Sequence, residues 1–137
     1  MPAEDKVHQP VRNALIKEGW TITAEPYLID VEGEFLYADI GAERILEDKK
    51  VQAIIVEVKS FRERSLIHAL EEAWGQYQIY RRILSVLKPD YKVYLALPQV
   101  AYERLQKRRT FNILMQFKEV SLIVVNIDEE KIVLWIE

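Results

Sequence analysis

Asp39, Glu57 and Lys59 are the residues of this chain whose types and spacing could do chemistry. Glu57 and Lys59 stand two apart at the end of the apolar run Ala53-Ile54-Ile55-Val56-Glu57-Val58-Lys59, and residues i and i+2 of an extended strand project to the same side. Burying such charges is costly unless they are paired or bound to a metal. Upstream, Leu36-Tyr37-Ala38-Asp39-Ile40 is a second apolar run holding one carboxylate. If the two runs are strands with neighbouring ends, the three side chains meet. Two carboxylates would then hold a hard cation such as Mg²⁺ or Mn²⁺, which prefers oxygen ligands and keeps several waters. The lysine would orient a water or offset charge building on phosphorus. These are the parts for metal-assisted phosphodiester hydrolysis. The plainer reading is a same-face ion pair on a half-exposed strand, which contributes little by itself.

Elements around these residues follow from periodicity. Val7, Val11, Ala14 and Leu15 recur at helical spacing before Gly19, which predicts an amphipathic helix over Asp5–Glu18 with Asp5 as its N-cap. Trp20–Thr23 and Tyr27–Val31 read as short strands, Glu32-Gly33-Glu34 as a turn, Leu36–Ile40 as the Asp39 strand and Glu43–Lys50 as a charged loop before the Glu57/Lys59 strand. A helix over Arg64–Leu87 follows, then a strand at Tyr91–Leu97 and a second long helix over Val100–Phe117. Ser121–Asn126 and Lys131–Ile136 are strands around the turn Asp128-Glu129-Glu130. Strands separated by long helices imply parallel neighbours through right-handed crossovers, and the hairpins at either side imply antiparallel edges. The expected fold is α/β, a mixed central sheet flanked by helices, with residues 1–137 as one domain.

Composition narrows the functional classes. The chain has 137 residues, half hydrophobic and 30% charged, as in ordinary globular proteins. It has no cysteine, so disulfides, Fe–S clusters and thiolate zinc sites are excluded, and any metal must use O or N ligands; a reducing cytoplasm suits such a chain. No signal peptide or membrane-spanning run is expected. The formal net charge of −3 means that binding to nucleic acid must rest on a local basic patch or a bound cation. Basic residues do gather at Arg62/Arg64, at Arg81/Arg82 and over 104–109, although a charged helix face is the commoner explanation of such clusters.

Asp39, an interval of eighteen residues, then Glu57-Val58-Lys59 resembles the PD-(D/E)xK motif of the restriction-endonuclease-like superfamily. Ala38 stands where the motif's name has proline. On the following helix Gln76 and Tyr80 form a QxxxY pair, on one helical face, that looks like the motif of RecB-like nucleases. The resemblance implies Asp39, Glu57 and the carbonyl of Val58 as ligands of Mg²⁺ or Mn²⁺, Lys59 as the group that positions the attacking water, and Gln76 as a supporting contact. Where resolvase-like members carry a glutamate on the first helix, this chain has His8; on residue type alone, a packed or interface histidine is the simpler reading. Helix packing likewise accounts for Tyr80, and core packing for Trp20, Trp74 and Trp135.

Nearly the whole chain is also similar to a narrower family, XisH, the excision-controlling factors of the fdxN element. The similarity is carried by Asp5-Lys6-Val7-His8, Asn13–Thr23, Tyr37–Glu43, Val56–Phe61, Gly75-Gln76-Tyr77 and Ile132–Ile136. Membership implies a restriction-endonuclease-like fold and a supporting role in site-specific removal of a DNA element, alongside a recombinase and a small partner, XisI. Two alternatives to a Mg²⁺-dependent deoxyribonuclease stay open: a nuclease fold kept as a silent module that binds DNA or a partner protein, and a metal-independent homo-oligomeric scaffold.

Overall fold

The computed structural model describes residues 6–137. The elements are α1 (His8–Lys17), β1 (Thr21–Ala24), β2 (Tyr27–Val31), β3 (Glu34–Ala38), β4 (Ile40–Ile45), β5 (Val51–Val58), α2 (Leu66–Leu87), β6 (Lys92–Pro98), α3 (Gln99–Gln106), α4 (Arg109–Met115), β7 (Leu122–Asn126) and β8 (Lys131–Ile136). Six strands form one sheet in the order β1-β4-β5-β6-β7-β8, while β2 and β3 form a separate hairpin sheet. As expected, the centre is parallel (β5 with β6, β6 with β7) and both flanks are antiparallel.

The central strands are buried on both faces, so their apolar runs are continuous and the faces sort by parity. Ile55, Leu95, Leu97, Leu122 and Val124 enter one core with α2, α3 and α4. Ile54, Val56, Val58, Tyr94, Ala96, Ile123 and Val125 enter the other, under α1. Each fully buried large side chain contributes roughly 1.5–3 kcal/mol against remaining exposed. Glu57 has the parity of Ile55, so its side chain lies on the α2 side.

α1 ends where the sequence places its stop. Gly19 has φ +92°; its N–H donates to the carbonyl of Ile16, and that of Trp20 to Leu15. This is the reciprocal pair of a Schellman end, which requires a left-handed residue. The expected N-cap, Asp5, lies outside the described residues. α2 is capped by Ser65, whose Oγ accepts from the His68 N–H at 3.1 Å.

Three expectations need correction. The strand expected over Leu36–Ile40 breaks at Asp39: β3 pairs with β2, β4 belongs to the main sheet, and Asp39 is the bend between them. The charged segment expected to be a loop from Glu43 joins β4 as far as Ile45. The helix expected over Val100–Phe117 is two helices, interrupted by Arg108 in an extended conformation. Leu105 and Phe111, both buried, lie six residues apart, and at 100° per residue one straight helix would turn them to different faces. The break lets both reach the core. The Asn112 side-chain N–H closes it by donating to the Gln106 carbonyl at 2.8 Å. Of the three tryptophans, Trp20 is buried, whereas Trp74 and Trp135 are only half-buried. Among the described residues, no helix is long and apolar enough to cross a membrane.

Candidate active site

Asp39 and Glu57 meet through strand register. In the antiparallel β4–β5 pair Ile40 stands opposite Val56, so one step outward sets the bend residue Asp39 opposite Glu57. The two residues interlock through the backbone. The Asp39 N–H donates to Glu57 Oε1 at 3.1 Å, and the Val58 N–H donates to Asp39 Oδ2 at 2.7 Å. Lys59 follows the last residue of β5 and stays tied to β6, its N–H donating to the Ala96 carbonyl at 2.9 Å. Its ammonium lies 4.0 Å from Glu57 Oε2.

Close approach over β4 depends on a glycine. A Cβ at Gly41 would stand 2.7 Å from Tyr27 Cδ2, so only glycine lets the β2–β3 hairpin fold over β4 beside the bend.

Electrostatics single out Glu57. Its residue is only 3% exposed, and burial first, then the negative charge and side-chain hydrogen bonding of Asp39, push its carboxyl up to about 8 against a partial offset from Lys59. Two carboxylates held together at one strand junction repel unless a proton or a cation stands between them. The donor set fits a hard divalent cation: two carboxylates and, beside them, the Val58 carbonyl. Among the described residues no group of three or more His, Asp or Glu side chains is placed to cage an ion.

Gln76 and Tyr80 lie on the face of α2 that looks onto this junction. Gln76 Nε2 donates to the Tyr80 hydroxyl at 2.9 Å, and that hydroxyl donates to the Tyr37 carbonyl at 2.7 Å. Burial, then the charges of Glu57 and Asp39, raise the Tyr80 phenol, with the Gln76 hydrogen bond opposing; the ring is therefore within electrostatic reach of both carboxylates. Tyr80 pins β3 two residues before Asp39. The QxxxY spacing signalled that the pair shares a face, but nothing in the sequence identified a backbone carbonyl as the target.

His8 packs as the simpler reading expected. It is buried, and its Nε2 lies 2.7 Å from Glu25 Oε2, while the Arg12 Nε–H donates to Glu25 Oε1 at 2.7 Å. Burial pushes the Glu25 carboxyl up, but the hydrogen bonds of His8 and Arg12 outweigh it and leave the pKa lowered. The acidic turn Asp128-Glu129-Glu130 does structural work too. Asn13 Nδ2 donates to Glu130 Oε2 at 3.0 Å and Lys17 to the Glu129 carbonyl at 2.9 Å, fastening α1 to the β7–β8 hairpin.

The basic clusters separate. Arg62 and Arg104 line one crevice, of about 380 Å³, at the carboxyl ends of β5, β6 and β7. Arg81 lines another, of about 350 Å³, at the opposite ends of β6 and β7.

Comparison with known proteins places this arrangement. The family model described as XisH protein matches residues 1–133. A crystal structure at 1.60 Å of an XisH family protein from Nostoc punctiforme PCC 73102 is similar at a TM-score of 0.86 and 34% identity, over 97% of this chain and 100% of that one. A second, of an fdxN element excision controlling factor protein from Anabaena variabilis, is similar at a TM-score of 0.86 and 36% identity, with the same coverage. No curated protein matches the chain. The mixed six-stranded sheet with helices on both faces is a restriction-endonuclease-like architecture, and the chain belongs to the XisH family.

Proposed function

We propose that this protein is an excision-controlling factor, acting inside the cell in site-specific removal of a DNA element by divalent-metal-dependent phosphodiester hydrolysis. The observation that carries the reading is the interlocked pair: Asp39 and Glu57, each accepting from backbone N–H of the other's segment, with the Lys59 ammonium beside Glu57. The excision role comes from the relative in Anabaena variabilis, an fdxN element excision controlling factor protein at 36% identity.

Asp39, Glu57 and the Val58 carbonyl would hold Mg²⁺ or Mn²⁺, which when bound supplies Lewis-acid polarisation of the phosphate and acidification of water. Asp39 and Glu57 also fix one another, so little reorganisation is needed when substrate arrives. Lys59 donates hydrogen bonds to the attacking water and offsets charge that builds on the phosphate oxygens. Tyr80 is a positioning residue, acting through the Tyr37 carbonyl, and Gln76 supports it.

Incubation of the pure protein with supercoiled, branched and single-stranded DNA in Mn²⁺ or Mg²⁺ tests this. Cleavage is expected, with a loss of at least a hundredfold in Lys59→Ala. No cleavage of any substrate, or equal cleavage by Lys59→Ala, would refute hydrolysis.

A second reading draws on one observation: the Gln76 amide is engaged by Tyr80 and the Tyr80 hydroxyl by the backbone, as in a site kept for its architecture. On that reading the protein is a silent module that holds DNA, an XisI-like small protein or a recombinase.

A further inference from the structure

The crevice at the carboxyl ends of the parallel strands begins one residue after Lys59. Ser60, Phe61 and Arg62 form its first wall, and Gln99 and Arg104 of α3 the next. In open α/β sheets the ends of parallel strands are where ligands are received, because the connections diverge there. Here the divergence is built in. Phe61 has φ +57°, a left-handed conformation that is strained for a residue with a Cβ and persists only where surroundings impose it. Its ring is 2% exposed in the α2-side core. The anchored ring turns the chain sharply and sends Arg62 out over the crevice, while the Arg104 guanidinium donates to the Phe61 carbonyl at 3.4 Å.

Two guanidiniums thereby line the side of the crevice toward Lys59, against one carboxylate among the described lining residues, Asp128, which follows β7 two strands away. Always-charged guanidiniums attract phosphate oxygens. Its volume of about 380 Å³ is that of a pocket for a small ligand, such as a short stretch of one strand's backbone. By contrast, Arg81 lies at the opposite end of the sheet. The overall charge of −3 makes the placement of these two cations the more telling.

We infer that this crevice binds the phosphodiester backbone of a single nucleic-acid strand beside the scissile phosphate, through Arg62 and Arg104. The inference rests on the proposal that Asp39, Glu57 and Lys59 act on DNA, and it adds where the strand runs.

The test is fluorescence anisotropy with a labelled single-stranded DNA oligonucleotide, in EDTA so that cleavage plays no part, over a series of salt concentrations. Arg62→Gln and Arg104→Gln should each weaken binding roughly three- to tenfold and flatten the log–log salt slope by about 0.7. Arg104→Lys should bind within about threefold of wild type, because charge is kept, which separates a phosphate contact from a merely structural Arg104. Asp128→Asn should tighten binding. Arg81→Gln, with the same charge change at the far end, should stay within about twofold. Equal losses at Arg81 and at Arg62/Arg104, or no loss at the latter, overturn the inference. Binding that depends on Arg62 and Arg104 in a protein that cuts nothing would uphold the crevice and refute hydrolysis; cleavage that is indifferent to both arginines would do the reverse.

Discussion

Replacing Glu57 by Gln should stabilise the metal-free protein, and by an amount that grows with pH. The Glu57 carboxyl is held at about 8, against an ordinary value of 4.5, by burial and by Asp39. A raised acid contributes its full stability below the unfolded value, where both states are protonated, and loses it as pH rises to the folded value, because only the unfolded chain ionises freely. Each pH unit in that window costs roughly 1.4 kcal/mol. From 4.5 to 7 the loss therefore reaches about 3 kcal/mol, and it is complete above about 8. Glutamine keeps the acceptor for the Asp39 N–H at Oε1 and removes the charge. At pH 7 Glu57→Gln should unfold about 5–10 °C higher than wild type, taking roughly 3 °C per kcal/mol for a chain of this size, while at pH 4.5 the two should coincide. Thermal unfolding followed by circular dichroism in EDTA, from pH 4.5 to 8.5, measures this. A gap that does not change with pH, or a variant less stable than wild type at pH 8, would refute the account of why Glu57 is raised.

Two further substitutions probe the frame that positions the site. Tyr77, 1% exposed, donates from its hydroxyl to the Val93 carbonyl at 2.8 Å and accepts from the Ser121 N–H at 3.0 Å; Tyr77→Phe strips a half-buried amide of its acceptor and a strand carbonyl of its donor, and should lower stability in urea by about 1–3 kcal/mol with an unchanged m-value. Gly41→Ala drives a methyl against the Tyr27 ring at 2.7 Å and should cost about 1–3 kcal/mol in the same assay.

Much of the sheet was legible because its residues obey simple periods. Ala53–Val58 and Val93–Pro98 are buried on both faces, so apolar runs broken only by Glu57, with the long helix α2 between them, were enough to place them as parallel neighbours. What misled was continuity. Arg104 to Arg109 reads as one charged helical turn, and nothing local distinguishes it from a break; the tertiary demand to bury both Leu105 and Phe111 decides it. Asp39 misled in the same way, since Leu36–Ile40 is a good strand by composition, yet the competing pairings of β3 with β2 and of β4 with β5 bend the chain there.

That bend is also why the candidate site was half legible. Residue types and the interval between Asp39 and Glu57 were enough to propose that the carboxylates converge, because side-chain chemistry is written in the sequence. The contacts that hold them together run through backbone atoms: the Asp39 and Val58 amides and the Tyr37 carbonyl. Every residue but proline carries these groups, so no pattern of side chains announces which of them will be used. The arrangement follows instead from register, and four residues after Glu57 the chain turns through a left-handed Phe61. The same strand end that buries a carboxylate thus also carries Arg62 to the crevice, where Arg104 of α3 donates to the Phe61 carbonyl. A substitution that frees Phe61 from its core should therefore disturb Arg62 and leave the Asp39–Glu57 interlock, which the β4–β5 register holds, in place.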